Sequence, residues 1–399
     1  MENKYLKGIS INVFYIGLLS FFGGISQDIF SPIFPLYLTF VLNKDKSFIG
    51  IASGLVLAAA SIFKMISGFL ADKFNKKPII FSGYFLSMIG RLLLPVFTSG
   101  TAILGLRGLD GIGKGVKDSP KDALIANSTK SDDRGKNFGA GRALDTLGSV
   151  VGPLILAGLL LIFKNSYQKY HYILYFSAIP LLFTLLILVF KVKEAQNPPK
   201  EIKKDGFNNN DKKYIKLPIS FYVFLAIALI FALGNSSDAF LILRANNLGV
   251  GLLGIPLIYA LFNFVYASAS IPLGSLSDKI GREKVIIVGW IAFSLSYLGF
   301  AIANHAWQVW IVYAFFGLYY ATTEGVAKAY IADMVDTNSR GKAYGIYNAT
   351  VGLAALPAGA IAGLLWDKVN PSASFFFGTA ISVFAILLFI IFVKIHTKK

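Results

Sequence analysis

Residues 107–122 read RGLDGIGKGVKDSPKD and place seven charged side chains inside an otherwise apolar part of the chain. Drawn as a helix at about 100° per residue, these seven positions fall within an arc of roughly 140°. Arg107, Lys114 and Lys121 lie almost above one another. An ionised side chain at mid-membrane costs at least ~2.5 kcal/mol. In a helix that crosses a bilayer, this stripe must therefore face protein or a water-filled path.

The composition is that of a polytopic membrane protein. Of 399 residues, 55% are hydrophobic and 15% charged, with a mean hydropathy of +0.63, whereas soluble domains carry about 25% charged residues. At about 20 residues per span, the chain holds roughly a dozen helices. The net charge of +17 fits Lys- and Arg-rich cytoplasmic loops, so we expect no nucleic-acid partner. With no cysteine, disulfides and thiolate metal sites are excluded.

A polar segment rich in Lys and Asn divides the chain into two halves. We interpret residues 1–190 as an N-terminal six-helix bundle, 191–217 as a cytoplasmic linker and 218–399 as a C-terminal six-helix bundle. Basic residues concentrate in the loops on the side of the linker and the Lys-rich tail. This pattern predicts cytoplasmic termini and a multi-pass protein of the cell membrane. Arg107 then lies toward the outside, Lys114 near the midplane and Asp122 near the cytoplasm.

The two halves repeat each other in sequence. GISQDIF at 24–30 returns as GNSSDAF at 234–240, GFLADK at 68–73 returns as GSLSDK at 274–279, and RGK at 134–136 returns at 340–342. A six-plus-six duplication is typical of secondary transporters, with the binding site near the midplane between the halves. We therefore predict an all-α membrane protein with 12 transmembrane helices in two pseudo-symmetric six-helix bundles.

The stretch GFLADKFNKK at 68–77 resembles the signature loop of the major facilitator superfamily, and the resemblance extends over the whole chain. Asn75 departs from the family pattern, which has a glycine at this position. The second copy of the loop keeps that glycine as Gly281. The resemblance implies the major facilitator fold, with close helix packing at Gly68 and Gly274. It also implies that Asp72 meets the start of span eleven near Gly341, and that Asp278 meets the start of span five near Gly135.

Two further motifs resemble those of the same family. RGLDGIGKG at 107–115 is similar to its fourth-span motif, which the family associates with proton coupling. A phosphate-binding loop is a poor reading of these glycines, because no strand precedes them and no Lys-Ser/Thr pair follows. In span five, Gly148, Gly152 and Pro153 match the packing positions of a motif linked to antiporters. The match is partial, since Leu156 and Ala157 replace its last glycine pair.

The candidate site residues fall into two groups. For the substrate and proton pathway we predict Asp28, Arg107, Asp110, Lys114, Asp238, Tyr320 and Glu324. For a gating ion-pair network, closed in the outward-open state, we predict Asp72, Lys117, Asp118, Lys121, Asp122, Arg142, Asp145 and Asp278. In the repeat, most of these first-half charges have uncharged counterparts. We therefore expect the first half to handle protons and gating, and the second to supply an aromatic, hydrogen-bonding wall from Tyr313, Tyr319, Tyr320, Thr323 and Glu324.

The sequence favours a proton-coupled secondary transporter, an exporter of a small organic solute by antiport. Several intramembrane cations favour an anionic or zwitterionic substrate. The alternatives are a proton symporter that imports an organic anion, and a lipid-headgroup flippase, which would need an amphipathic lateral opening. An embedded enzyme lacks support, because no nucleophile–base pair or metal-ligand set stands out. We expect a monomer in the bilayer with no cofactor or metal, and protons as the coupling ion.

Overall fold

A computed structural model describes residues 5–6, 9–129, 133–164, 166, 168–194, 217–336 and 339–396 of the chain. Its helices are α1 (Ile11–Phe40), α2 (Lys46–Lys73), α3 (Lys76–Leu93), α4 (Gly100–Asn127), α5 (Arg134–Ile162), α6 (Lys169–Phe190), α7 (Ile219–Gly234), α8 (Asp238–Asn247), α9 (Gly254–Ile280), α10 (Arg282–Ile302), α11 (Ala306–Met334), α12 (Arg340–Lys368) and α13 (Pro371–His396). Two short strands, β1 (Tyr5–Leu6) and β2 (Ile9–Ser10), pair antiparallel before α1. Most of the predicted linker, residues 195–216, lies outside the described residues.

Together α7 and α8 form one membrane span that is interrupted at residues 235–237, so the thirteen described helices make twelve spans. Within the described residues, ten spans are long and apolar enough to cross a membrane by composition alone. The other two are α4 and α11, of 28 and 29 residues, which carry more polar side chains. Both line the central cavity described below, which explains why they tolerate charge.

The helices pack as two bundles that meet along two seams. Helices α1 to α6 pack against one another, as do α7 to α13. One seam joins α2 to α12 and the other joins α5 to α9. We call the side where α1 begins and α13 ends the terminal side, and the other the far side. The sequence prediction of twelve helices in two repeated bundles is confirmed.

Glycines on α4 determine how closely the first-half helices pack. A methyl group added at Gly113 would lie 2.5 Å from the carbonyl oxygen of Gly83 on α3, and one added at Gly111 would lie 2.7 Å from that of Val56 on α2. Ordinary carbon–oxygen contacts are longer than this, so any side chain here would separate the helices. The glycines of residues 107–115 therefore allow close helix packing.

The turn between α9 and α10 explains why the two signature loops differ at one position. Gly281 has φ 101°, a left-handed backbone conformation that favours glycine. The equivalent residue between α2 and α3, Asn75, has φ −59°, which any residue adopts. The departure from the family pattern at Asn75 thus follows from a different turn in the first half.

Candidate functional site

One buried carboxylate in the first half is surrounded by three cations. Asp110 lies 3.1 Å from Arg107 (Oδ2 to Nη1), 3.5 Å from Lys114 (Oδ2 to Nζ) and 3.8 Å from Arg91 on α3 (Oδ1 to Nη2). Asp110, Arg91 and Arg107 are all buried. We call these four residues the Asp110 cluster. With three positive groups around one negative group, the cluster carries an excess of positive charge beside the cavities.

Aromatic rings and α1 hold the two guanidinium groups of the Asp110 cluster in place. The guanidinium carbon of Arg107 lies 4.2 Å from the ring centre of Phe34, and that of Arg91 lies 5.0 Å from the ring centre of Phe30. Arg91 also donates hydrogen bonds to Ser26 and, at 2.7 Å, to Gln27. Desolvated cation–π contacts of this kind contribute up to ~2 kcal/mol. The Nε atoms of Arg91 and Arg107 have no hydrogen-bond partner within the described chain.

Two further carboxylates occupy equivalent positions in the two halves. Asp28 lies midway along α1 and lines a cavity together with Ser149 of α5. Asp238 is the first residue of α8 and lines a cavity together with Tyr320 of α11. Neither carboxylate has a cation within 4.0 Å among the residues that the structure describes. They differ in this from Asp110, whose charge is already compensated.

The interruption of span seven brings polar backbone to the midplane. Between α7 and α8, Asn235 donates to the Tyr319 hydroxyl at 3.2 Å, and Ser237 caps α8 by accepting the Ala239 N–H. Broken spans of this kind expose backbone groups and a positive helix end toward a transport cavity. In span one, by contrast, α1 is continuous through Pro32 and Pro35. Of these two spans, only span seven therefore supplies freed backbone groups at the midplane.

Several cavities between the halves share lining residues with one another. A cavity of about 220 Å³ is lined by Gln27, Arg107 and Lys114 from the first half and by Asp238 and Tyr320 from the second. It shares Gln27, Leu57 and Lys114 with a central cavity of about 520 Å³. The central cavity in turn shares Lys64, Asp122 and Lys328 with a cavity of about 830 Å³ between α2 and α12.

Most of the predicted gating residues line the central cavity, but they pair differently from the prediction. Lys117 lies 3.5 Å from Asp118, Lys64 lies 3.7 Å from Asp118, and Lys121 donates to Ser20 at 2.8 Å. These contacts stay within the first half. Asp122 lines the same cavity without an ion pair shorter than 4.0 Å within the described chain.

Arg142 of α5 is the residue that links the halves. It lies 3.3 Å from Asp145 one turn later, 3.5 Å from Glu324 of α11 and 2.9 Å from the Tyr266 hydroxyl of α9. The Tyr266 hydroxyl donates to Glu324 in turn. The Arg142 guanidinium therefore reaches across the α5–α9 seam and forms no ion pair with the α4 members of the predicted gating network, whereas Asp145 lines the central cavity together with them. Tyr266 and Arg91 were both absent from the predicted site.

The aromatic wall predicted in the second half is also corrected. Of its five predicted residues, only Tyr320 and Glu324 line the cavities. Tyr313 and Tyr319 are buried among Phe300, Phe316 and Phe293 instead. Neighbouring helical positions point in different directions, so a polar aromatic segment of α11 supplies both core and cavity residues.

The signature loops do not form the contacts that the resemblance implies. Methyl groups added at Gly274 would meet nothing within 4 Å, and at Gly68 only Ser119 at 3.8 Å. Asp278 pairs with Arg282 at 2.7 Å and is 62% exposed, and the side chain of Asp72 lies outside the described residues. Two predictions therefore differ from the structure, because the halves are apart on the terminal side. They are the tight packing at Gly68 and Gly274 and the contact between Asp278 and span five.

Close packing occurs instead between α1 and α5. A methyl group at Gly152 would lie 2.9 Å from the Ile25 carbonyl oxygen, and one at Gly148 would overlap the backbone of Phe21. Helix α5 continues through Pro153. These small residues bring α5 against the segment of α1 that carries Asp28.

On the far side, α2 and α12 close the path between the halves. Their backbones are in contact at Gly50 and Gly359, and a methyl group at Gly54 would lie 2.5 Å from the Ala355 carbonyl oxygen. Asp367 of α12 accepts hydrogen bonds from the N–H groups of Lys46 and Ser47 at 3.1 and 2.8 Å. The cavities are therefore closed toward the far side and open toward the terminal side.

Comparisons with known proteins agree with this architecture. The profile of the Major Facilitator Superfamily matches residues 16–243 and again residues 223–399. An uncharacterized MFS-type transporter of Methanocaldococcus jannaschii is 34% identical over 398 residues, which cover 98% of this chain and 97% of that protein. Multidrug resistance protein MdtH of Yersinia pestis is 23% identical over 331 residues, covering 79% and 78%.

A solved structure gives the same fold. The crystal structure of a mutant of the nucleoside transporter NupG superposes with a TM-score of 0.80 at 13% identity, covering 96% of this chain and 99% of that one. The matched proteins are transporters and not enzymes. The chain belongs to the Major Facilitator Superfamily, and it is a multi-pass membrane transporter, as the internal duplication predicts.

Proposed function

We propose that this chain is a proton-coupled antiporter of the cell membrane that exports a small organic anion by alternating access. The observation that carries the proposal is the charge of the central cavity. Seven basic side chains and five acidic ones line it, and the basic ones include Arg91 and Lys114 of the Asp110 cluster. An anionic group would offset the positive excess through charge-assisted hydrogen bonds.

Asp28 and Asp238 are the best candidates for proton exchange. Each lies at a cavity wall and has no cation within 4.0 Å among the described residues. A carboxylate without a cationic partner can take up a proton without breaking an ion pair. Asp110 differs, because protonation would leave two buried arginines and the half-buried Lys114 without their counter-ion. We therefore assign proton carriage to Asp28 first, and a structural role in holding the cations to Asp110.

The basic loops predict that the terminal side faces the cytoplasm, and a transporter of either direction opens to that side. Two other observations favour export. The close packing of Gly148 and Gly152 against α1 matches the part of span five that resembles the antiporter motif. A relative at 23% identity is named a multidrug resistance protein.

Everted membrane vesicles with an imposed, inside-acid proton gradient test the proposal. An anionic substrate added outside should collapse the gradient in vesicles that contain the protein, because its uptake is exchanged for protons. Asp28→Asn should abolish this response. Asp45→Asn is the matched control, since Asp45 is an exposed carboxylate beside α2 and lines none of the cavities between the halves.

The opposite sense of the pH change would identify a proton symporter and overturn the antiport assignment. An Asp28→Asn variant with an unchanged response would remove Asp28 from the coupling path. Transport of the anion without any pH change would contradict proton coupling altogether.

A further inference from the structure

The seam between α2 and α12 opens into a cleft on the terminal side. The two helices are in contact from Gly363 at the far end to Gly352, where an added methyl group would meet the side chain of Ser61. Beyond that point they separate and enclose the cavity of about 830 Å³. This volume falls within the range of ~300–1,000 Å³ that is typical of ligand pockets. We call it the α2–α12 cleft.

The cleft carries exposed apolar side chains and has charged residues at its inner end. Met65 and Phe69 of α2 line it with 45% and 67% of their surface exposed, and Ile346 of α12 lines the facing wall. These side chains offer an apolar surface to an alkyl chain. At the inner end, Lys64, Asp122 and Lys328 line both the cleft and the central cavity, and Lys64 lies 3.7 Å from Asp118. The cleft and the cation-rich cavity thus meet at a boundary that holds two ammonium groups.

The second seam differs in its chemistry. Between α5 and α9, Arg142 bonds the Tyr266 hydroxyl at 2.9 Å, and Asn263 donates to the Ser149 carbonyl oxygen at 2.9 Å. On the terminal side of these contacts a cavity of about 530 Å³ opens, which shares Arg142, Glu324 and Lys328 with the central cavity. Its lining includes Ser270, Ser277, Asp278 and Arg282, whereas large apolar side chains line the α2–α12 cleft.

We propose that the transported anion is a single-chain amphiphile, whose charged head binds in the central cavity while its alkyl chain lies in the α2–α12 cleft. This inference rests on the proposed function for the anionic head and adds the alkyl chain. Lys64 and Lys328 mark the boundary, because their ammonium groups can bind an anionic head while apolar side chains surround the chain. A carboxylate or a phosphate head would fit this chemistry.

Photolabelling without a proton gradient tests the inference. The full chain in phosphatidylcholine vesicles is exposed to a 12-carbon alkyl phosphate that carries a diazirine on its last carbon. A 12-carbon carboxylate with the same diazirine compares the two head groups, and the corresponding alcohol serves as the uncharged probe. Both anions are expected to label residues of the cleft at least five-fold more than the alcohol, and short-chain organic phosphate should compete with that labelling.

Gly345 provides the variant that fills the cleft. It lines the cleft, and a methyl group added there meets nothing within 4 Å, so a larger side chain can enter without helix displacement. Gly345→Phe should reduce the labelling at least five-fold, and the smaller Gly345→Leu provides the same test if the first variant folds poorly. Gly158→Phe is the matched control, because Gly158 is equally half-buried, has the same free space and lines none of the cavities.

Equal labelling by the alcohol and the anions would overturn the inference, since it would mean that the probe only reports a lipid-facing surface. Unchanged labelling in Gly345→Phe would overturn it as well. The proposed function is separable from this result. Proton-coupled export of short-chain anions without cleft labelling would support the proposed function and reject the alkyl-chain site. Cleft labelling without proton-coupled transport would support the alkyl-chain site and reject the proposed function.

Discussion

The hydrogen bonds of Asp367 should hold the far side of the transporter closed. Helix α2 begins at Lys46, and its own N-cap residue, Asp45, makes no side-chain capping bond. Asp367, on the other half of the molecule, accepts from both Lys46 and Ser47 N–H and, at 2.7 Å, from the Ser47 hydroxyl. The cap of one half is thus supplied by the other, and opening the far side must break it.

The magnitude follows from helix capping. Replacing a capping side chain by alanine typically costs ~1 kcal/mol and at most ~2 kcal/mol, and one or two kcal/mol changes an equilibrium by a factor of about 5–30. These bonds exist only while the far side is closed, so their loss changes the balance between the two states directly. Asp367→Ala should therefore raise the population with an open far side by about five-fold or more.

The absence of cysteine from the chain makes the assay direct. A single Ser53→Cys, on α2 at the wall of the 220 Å³ cavity, becomes accessible from the far side only when that side opens. Its rate of labelling by an impermeant maleimide, added to the far side of sealed vesicles, should rise about five-fold or more in Asp367→Ala. Lys368→Ala is the control, since it removes the neighbouring exposed charge without removing the cap.

An unchanged labelling rate in Asp367→Ala would refute the reasoning, because it would mean that glycine packing alone closes the far side. An equal rise in Lys368→Ala would also refute it, by showing that the surface charge of this helix end matters and the cap does not.

Three other substitutions should act through different contacts. Asp110→Asn should lower the free energy of unfolding by ~3–5 kcal/mol, because removing one partner of a buried ion pair leaves uncompensated charge; a thermal-unfolding temperature equal to that of the parent would contradict this. Gly113→Val should destabilise the first half by ~1–3 kcal/mol through overpacking, whereas Gly105→Val, with nothing within 4 Å, should unfold like the parent in the same measurement. Glu324→Gln should change far-side labelling of Ser53→Cys by less than about five-fold, because its ion pair with Arg142 is largely exposed and such pairs contribute only ~0–1 kcal/mol; a larger change would make this pair a principal gate.

Sequence reasoning could predict the fold because the duplication preserves polar residues in register. The pairs Asp28 with Asp238 and Gly68 with Gly274 occupy matching places in two bundles, as expected. The interruption of span seven at Asn235 could not be predicted in the same way. Residues 219–243 read as one apolar segment, and only tertiary contacts of the freed backbone make the break stable.

The charged residues of the site could be predicted from the sequence, but only some of the residues with which they pair could be. A carboxylate in an apolar helix needs a cation, so Asp110 with Arg107 and Lys114 follows from spacing on one helix. The third cation, Arg91, lies on another helix; the signal that could have found it was a single arginine at the end of an apolar span. The partners of Arg142 could not be predicted from the sequence. Tyr266 and Glu324 come from the other half, and their contact with Arg142 depends on which conformation the halves adopt.

The charged stretch that begins at Arg107 serves two purposes along one helix. Up to Lys114, its charges converge on Asp110 while its glycines fit the backbones of α2 and α3, so this part is fixed within the first half. From Lys117 onward, the charges line a cavity and pair weakly with partly exposed neighbours. Weak pairs exchange partners at little cost, whereas a buried cluster does not. Rearrangement during transport should therefore concentrate at the terminal end of α4, and the Asp110 cluster should move as part of a rigid half.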